Sequence, residues 1–598
     1  MPPDFTTVTP DAVTTIANDA IEEAEHLVAG AVAMSGDRTY ANTMKPLDNL
    51  GVVIGDASGR GIFMARVHPD EAVRHSAVAA EEVMAKWGND LMMRSDLAAA
   101  VKAYAATDDA ADLAGMEARN LELWLRDLRR AGHDLEEEDR KRLRRLRERL
   151  IEAEVGYRSN LDEWDDAIDM TKEEMAGVPD SYIDRLAPGS SEGTYRVSMA
   201  YPDYFPFMDE GERRDLRQAL QHKYWNRATA ENLPLIAEAT GLRRQIASLL
   251  GYETWADYAM EVKMANPVAV DELYQSIIPG LTRRGITELA VLQELADADL
   301  AGDTLQPWDW RYYHTRQRKL DFGIDQNEVA EYFPLEAVLD GMFDITGDVF
   351  GLEYRRVDDA KAWHQDVALY EIYNTGGAEP IAYFYFDLFP REGKYGHAAC
   401  FDILGRVVSE DGSVRAPVAA VAANFTKPGP DSPSLLKHDE ALTLFHEFGH
   451  VLHFCLTEVD HPRFAGFDTE WDFVEAPSQI MENWMWEPEV LHRFARHYET
   501  GEPIPDDLVK HLVAARNQNE GLVNLRQIFL GRFDLALHGP DEVDIEQANR
   551  EAYAYTLLPF HEGTSFASSF GHLMGGYDAG YYGYQWAKVY GDDMFSVF

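Results

Sequence analysis

His446-Glu447-Phe448-Gly449-His450 sets two imidazoles four residues apart, with a carboxylate next to the first. Residues at that spacing share one face of an α-helix. Both rings can therefore meet one metal ion, and zinc is the usual occupant of such a pair. Glu447 projects to a different side and cannot easily share the ion. It is placed to take a proton from an attacking water. The motif lies inside an apolar, helix-permissive run from Ala441 to Leu456. A match this short also arises by chance, so the rest of the chain must supply what it lacks.

Zinc in a hydrolase takes three protein ligands and keeps a position for water. A third ligand following closely as His-x-x-Gly-x-x-His is excluded, because His453 stands at the glycine position and Leu456 at the histidine position. Glu458, Glu470, Glu475 and Glu482 remain available as carboxylate ligands. Glu475 leads among them. It sits in the apolar stretch Asp472-Phe-Val-Glu475-Ala-Pro477, where an unpaired glutamate is costly to bury. Pro477 marks a helix start beside it. Asp439, Glu440 and Glu482 are candidates to orient the imidazoles from behind. Near the end of the chain, Phe570 to Tyr584 mixes glycine and tyrosine and is too flexible for a simple helix start.

The elements that must position these groups are mainly helical. From Thr14 to about Leu320 apolar residues recur at helical spacing, with stretches at Glu210 to Ala230, Leu233 to Leu250 and Val268 to Leu300. The basic run Arg140 to Arg149 is flanked by acidic residues and reads as a solvated helix face. Four β-prone segments precede the motif: Val367 to Tyr373, Pro380 to Leu388, Ala399 to Val408 and Val414 to Phe425, broken by Gly376-Gly377 and Asp411-Gly412. Metallopeptidases commonly add the substrate as a strand at a sheet edge beside the metal. Val418 to Asn424 is the expected edge strand, with an ordinary structural hairpin as the alternative. Helical pattern resumes from Glu475 to the end.

At 598 residues the chain can bury a large core. Its formal charge is 55 − 104 = −49, which argues against nucleic acid and anionic membranes as partners. Only 14 of the 55 basic residues are lysine, a balance that suits either a salt-adapted surface or a merely acidic protein. No run reaches the apolar length of a membrane span, and the N-terminus lacks a basic flank and apolar core. Two cysteines, Cys400 and Cys455, offer no disulfide framework. The expected location is cytoplasmic.

Several stretches together carry a resemblance. They are His446-Glu-Phe-Gly-His450, Asp472-Phe-Val-Glu475-Ala-Pro-Ser-Gln479, and the Gly/Tyr segment ending Gly583-Tyr584. Asp387-Leu-Phe-Pro-Arg-Glu-Gly-Lys394, Val421-Ala-Ala-Asn424 and Pro433-Ser-Leu-Leu-Lys-His-Asp-Glu440 add to them. The chain resembles the zinc oligopeptidases of the thimet oligopeptidase family. The resemblance implies a mainly α, two-lobed molecule with a deep central channel and a small β-sheet next to the active-site helix. It implies one zinc per chain on His446, His450 and Glu475, with Glu447 as general base. By similarity His572 and Tyr584 join the catalytic groups, and Tyr577 and Tyr581 bind substrate. The intervening glycines would let that segment close over a peptide.

The expected layout is a helical lobe over 1–325, a catalytic lobe over 326–512, helices returning to the first lobe over 513–570, and the substrate-binding segment over 571–598. Relatives continue past Phe598, which makes the C-terminus look truncated. Leu442 and Trp471 stand where relatives often carry charge. The implied function is zinc-dependent cleavage of internal bonds in short peptides by a monomer. The alternatives are a dipeptidyl carboxypeptidase on the same scaffold and a catalytically impaired peptide-binding protein. The first alternative needs a group that captures a terminal carboxylate, and the motifs name none.

Overall fold

The structure is a computed structural model. It describes residues 2–323, 326–409, 411–429 and 432–598. The chain is mainly α-helical with small sheets, as the periodicity predicts. No helix among the described residues is long and apolar enough to cross a membrane. Two compact units divide the chain. One comprises Met1–Glu136, Asp325–Lys510 and Ala587–Phe598; the other comprises Glu137–Ile324 and His511–Trp586.

This division differs from the lobe drawn over 1–325. Residues 1–136 belong with the motif-bearing unit, and the change of unit falls at 136. The boundary drawn at 325 lies outside the described residues. The segment drawn over 571–598 is likewise split, with 571–586 in the second unit. Packing explains the placement of the N-terminal residues. Phe5 and Phe63 meet Trp363 edge-on at ring distances of 5.3 and 5.0 Å, and Phe63 also touches Phe401 at 5.1 Å. Helical periodicity shows that a stretch will form helices, but not which sheet those helices will cover.

The first unit holds a five-stranded sheet. Its strands are β1 (Leu352–Arg356), β2 (Ala368–Asn374), β3 (Ala382–Asp387), β4 (Ala399–Leu404) and β5 (Val418–Ala422), in the order β1-β2-β3-β5-β4. All neighbours are antiparallel except β3 and β5. The expected edge strand is therefore corrected. β5 is interior and buried at all five positions, whereas β4 beside it is an edge, as is β1 on the far side. A run of Val and Ala without polar alternation is what a strand covered on both faces requires. Val407–Val408 and Val414–Arg415 form a separate small ladder, and β1 was not foreseen.

The motif helix α1 (His438–Cys455) lies on this sheet. Phe448 packs among Phe343, Tyr354, Phe384 and Phe386 at ring distances of 5.5 to 6.1 Å. Aromatic pairs of this kind contribute about 0.5–1.5 kcal/mol each beyond their buried area. Behind the sheet, buried Asp387 takes Trp363 Nε1–H at 2.7 Å, the Arg391 guanidinium, and Lys394 Nζ at 2.9 Å. Lys394 also donates to the carbonyls of Asp387, Phe389 and Ala423, which fixes the loop leading into β4.

The second unit carries the helices Glu137–Asp162, Thr229–Leu249 and Pro267–Leu300, close to the predicted stretches. It also carries α3 (Glu520–Leu537) and a three-stranded sheet of Ala167–Thr171, Thr194–Ser198 and Ala187–Pro188. In the basic run, Lys141 pairs with Glu137 and Glu138, and Arg149 with Glu152 and Glu238.

Candidate metal centre and Gly/Tyr segment

The motif histidines project from α1 towards the start of α2 (Ala476–Trp484), whose N-cap residue is Glu475. His446 Nε2 is 3.3 Å and His450 Nε2 is 3.1 Å from Glu475 Oε2. Among the described residues this is the only group of three or more His, Cys, Asp or Glu side chains that converge in this way. Ligand bonds of about 2.0–2.1 Å in a tetrahedron put neighbouring ligand atoms about 3.3 Å apart, so the spacing fits zinc.

Two helices can supply these groups only by approaching closely. Gly449 makes that possible, because a Cβ there would lie 2.6 Å from Ser478 Cα and 2.8 Å from the Pro477 carbonyl oxygen. Ser478 Oγ donates to Glu475 Oε2 at 2.9 Å and steadies it. His446 Nδ1 bonds Glu482 Oε1 at 2.7 Å, leaving Nε2 to face Glu475. Of the three residues considered for orienting the rings, Glu482 does so. Glu440 instead accepts from the Lys437 main-chain N–H at the helix start, at 2.8 Å. Glu470 lies 3.8 Å from Arg119.

The electrostatics follow from this packing. Burial opposes charge on His446, but the bonds to Glu475 and Glu482 outweigh it and push the imidazole up to about 10. Burial would raise Glu475, yet the two histidines hold it well below the usual carboxylate range. Glu447 is only 6% exposed, and burial raises its carboxyl above the ordinary value. The two histidines and the neighbouring Cys400 main-chain N–H partly offset that rise, and Oε2 is buried with no partner. These groups line a cavity of about 380 Å³ with Ala398, Ala399 and Cys400 at the edge of β4. Both cysteines are free thiols.

The loop between α1 and Glu475 is held by the N-terminal helices. His461 Nδ1 bonds Asp48 Oδ2 at 2.9 Å, and Arg463 pairs with Asp127.

In the second unit the four residues expected to contact substrate lie together. The Tyr577 and Tyr584 rings stack at 5.6 Å, and His572 meets Tyr577 and Tyr581 edge-on at 5.0 Å each. Tyr581 is buried, and its hydroxyl donates to Gln527 Oε1 at 2.8 Å. Tyr584 is 37% exposed. Burial lowers His572, opposed by Asp534 and assisted by Arg526.

The expected looseness of this segment is corrected over 579–581. Asp534 on α3, 1% exposed, accepts the main-chain N–H groups of Ala579, Gly580 and Tyr581 at 2.9, 2.9 and 3.0 Å. His538 Nδ1 lies 3.0 Å from the same carboxylate. Ala579 sits in the left-handed region at φ 50°, a conformation that these bonds hold in place. Sequence reading missed Asp534, since nothing in the run Phe533-Asp534-Leu535 marks a carboxylate that clamps a turn 45 residues away.

Residues 207–598 match the family model described as Peptidase family M3, and the chain belongs to that family. It is 33% identical over 585 residues to the thimet-like oligopeptidase of Dictyostelium discoideum, covering 94% of this chain and 86% of that one. It is 32% identical over 621 residues to oligopeptidase A of Escherichia coli (strain K12), covering 100% and 91%. Saccharolysin of Saccharomyces cerevisiae is 32% identical over 589 residues, covering 93% and 82%. A solved structure titled PZ peptidase A with inhibitor 2 shares the fold, with a TM-score of 0.54 at 12% identity over 97% of this chain and 87% of that one. The chain is thus a peptidase of the oligopeptidase type.

Proposed function

We propose that the chain is a cytoplasmic zinc endopeptidase that cleaves internal bonds of short peptides. The observation that carries this reading is the convergence of His446, His450 and Glu475 beside the buried, unpartnered Oε2 of Glu447. The donor set suits one zinc ion. When bound, zinc supplies Lewis-acid chemistry: it polarises a carbonyl and makes water more acidic.

The chain's own residues do the rest. Glu447 Oε2 takes a proton from the attacking water and returns it to the leaving nitrogen. Burial favours the protonated carboxyl and so suits it to both halves of that transfer. Glu482 fixes the ring and tautomer of His446. The β4 edge offers main-chain groups along which an extended peptide can pair. Attack at the carbonyl builds an oxyanion that needs donors. The family resemblance assigns that role to Tyr584 and His572, with Tyr577 and Tyr581 holding the peptide.

Glu447→Gln tests the reading. It should keep one zinc per chain by metal analysis and lose turnover of a fluorogenic peptide about 10²-fold or more. Chelation of the parent should abolish turnover and readdition of zinc should restore it. A Gln variant within a few-fold of the parent would remove Glu447 from the role.

A further inference from the structure

The chain carries 104 carboxylates against 55 cationic side chains, so a guanidinium with no carboxylate beside it runs against its own composition. In the second unit most buried or half-buried arginines are matched. Arg214 and Arg217 share Asp309, Arg243 holds Glu154, Arg311 holds Asp209, and Arg532 holds Asp271. Arg526 and the half-buried Arg318 make no hydrogen bond or ion pair with any described residue, and Arg526 is exposed on α3.

Its surroundings are aromatic. Arg526 lines a cavity with Trp225, Trp310, Phe529, Tyr553 and Phe566. Its charge also acts on Tyr204, Tyr224, Tyr581 and His572. Helix α3 is bonded to the Gly/Tyr segment on both sides of this position. Asn524 Oδ1 accepts from Gln585 Nε2 at 2.9 Å, and Gln527 Oε1 accepts from the Tyr581 hydroxyl at 2.8 Å. Asp534, on the same helix, is already occupied by three main-chain N–H groups. The guanidinium thus stands on the helix that holds Tyr581 and Gln585 of the Gly/Tyr segment, with its donors uncommitted.

We propose that Arg526 captures a carboxylate of the peptide substrate, foremost its C-terminal one. A guanidinium fork matches a carboxylate with two parallel hydrogen bonds, and its planar face tolerates aromatic neighbours. A field of −49 repels carboxylates from most of the surface, which leaves an unmatched arginine as the favoured place to hold one. Substrate choice would then depend on a free acid end as well as on the residues around the cleaved bond. The proposal rests on the reading in which the Gly/Tyr segment binds substrate.

The test compares one fluorogenic peptide as free acid, as C-terminal amide, and as an amide ending in glutamate. In the parent, kcat/KM should be about ten- to a hundredfold higher for the acid than for the amide, the range of one hydrogen-bonded charge. Arg526→Met should bring that ratio close to one, and Arg526→Lys should give an intermediate value. The glutamate peptide separates the sources: recovery shows that a side-chain carboxylate suffices, and no recovery restricts the site to the terminus. Fluorescence anisotropy with the Glu447→Gln protein gives the same ratio as a ratio of Kd values, without turnover. A parent ratio near one, a ratio that survives Arg526→Met, or an equal loss for acid and amide would each overturn the proposal. If the parent hydrolyses none of the peptides with zinc present, the functional reading fails, and the Kd ratio still judges Arg526.

Discussion

The metal-side groups and the Gly/Tyr segment are built in opposite ways. His446, Glu447 and His450 stand on one regular helix, and Glu475 caps a second that is packed against it. His572, Tyr577, Tyr581 and Tyr584 come from short turns and the first residues of a helix, and the turn at 579–581 among them is held by the buried Asp534 carboxylate. The first arrangement gets its precision from packed backbone, the second from hydrogen bonds to backbone. Damage to the first should therefore appear as lost metal, and damage to the second as lost rate or stability with the metal retained.

The sharpest way to break this contrast is His450→Ala. It should remove nearly all zinc and turnover, and stoichiometric zinc in that variant would sink the ligand assignment. Tyr584→Phe should next cost about 10²–10³ in kcat with KM changed much less, as expected for a lost oxyanion donor. Its zinc content and melting temperature should match the parent. A fall in melting temperature with kcat unchanged would make Tyr584 a packing residue. Glu482→Gln keeps the shape but not the charge behind His446, so zinc affinity should weaken about 10–100-fold in a competitive chelator titration. Unchanged affinity would show that the 2.7 Å bond is incidental. Asp534→Asn should have the smallest effect on metal. One amide cannot accept three N–H groups as well as a carboxylate, so the melting temperature should fall while zinc stays at one per chain.

Sequence legibility follows the same contrast. The motif helix could be read because two ligands and Glu447 lie within five residues, and Glu475 because apolar neighbours single it out. The mainly helical fold could be read from apolar spacing. The edge strand was misassigned, because Val418 to Ala422 is continuously apolar and only pairing partners distinguish an interior strand from an edge. Residues 1–136 were placed with the wrong unit, because aromatic contacts such as Phe5 with Trp363 join positions far apart in the chain. Asp534 and Arg526 were invisible for a related reason. One matters for the N–H groups it receives and the other for the carboxylate it lacks, and both are properties of the folded neighbourhood.

Gly449 has a consequence for motion. With no side chain between them, the backbones of α1 and α2 are in direct contact, so neither can unfold locally without exposing the other. Amide protons of the two helices should then report one common opening free energy in hydrogen exchange. All three candidate ligands would belong to a single opening unit, released together and re-formed together.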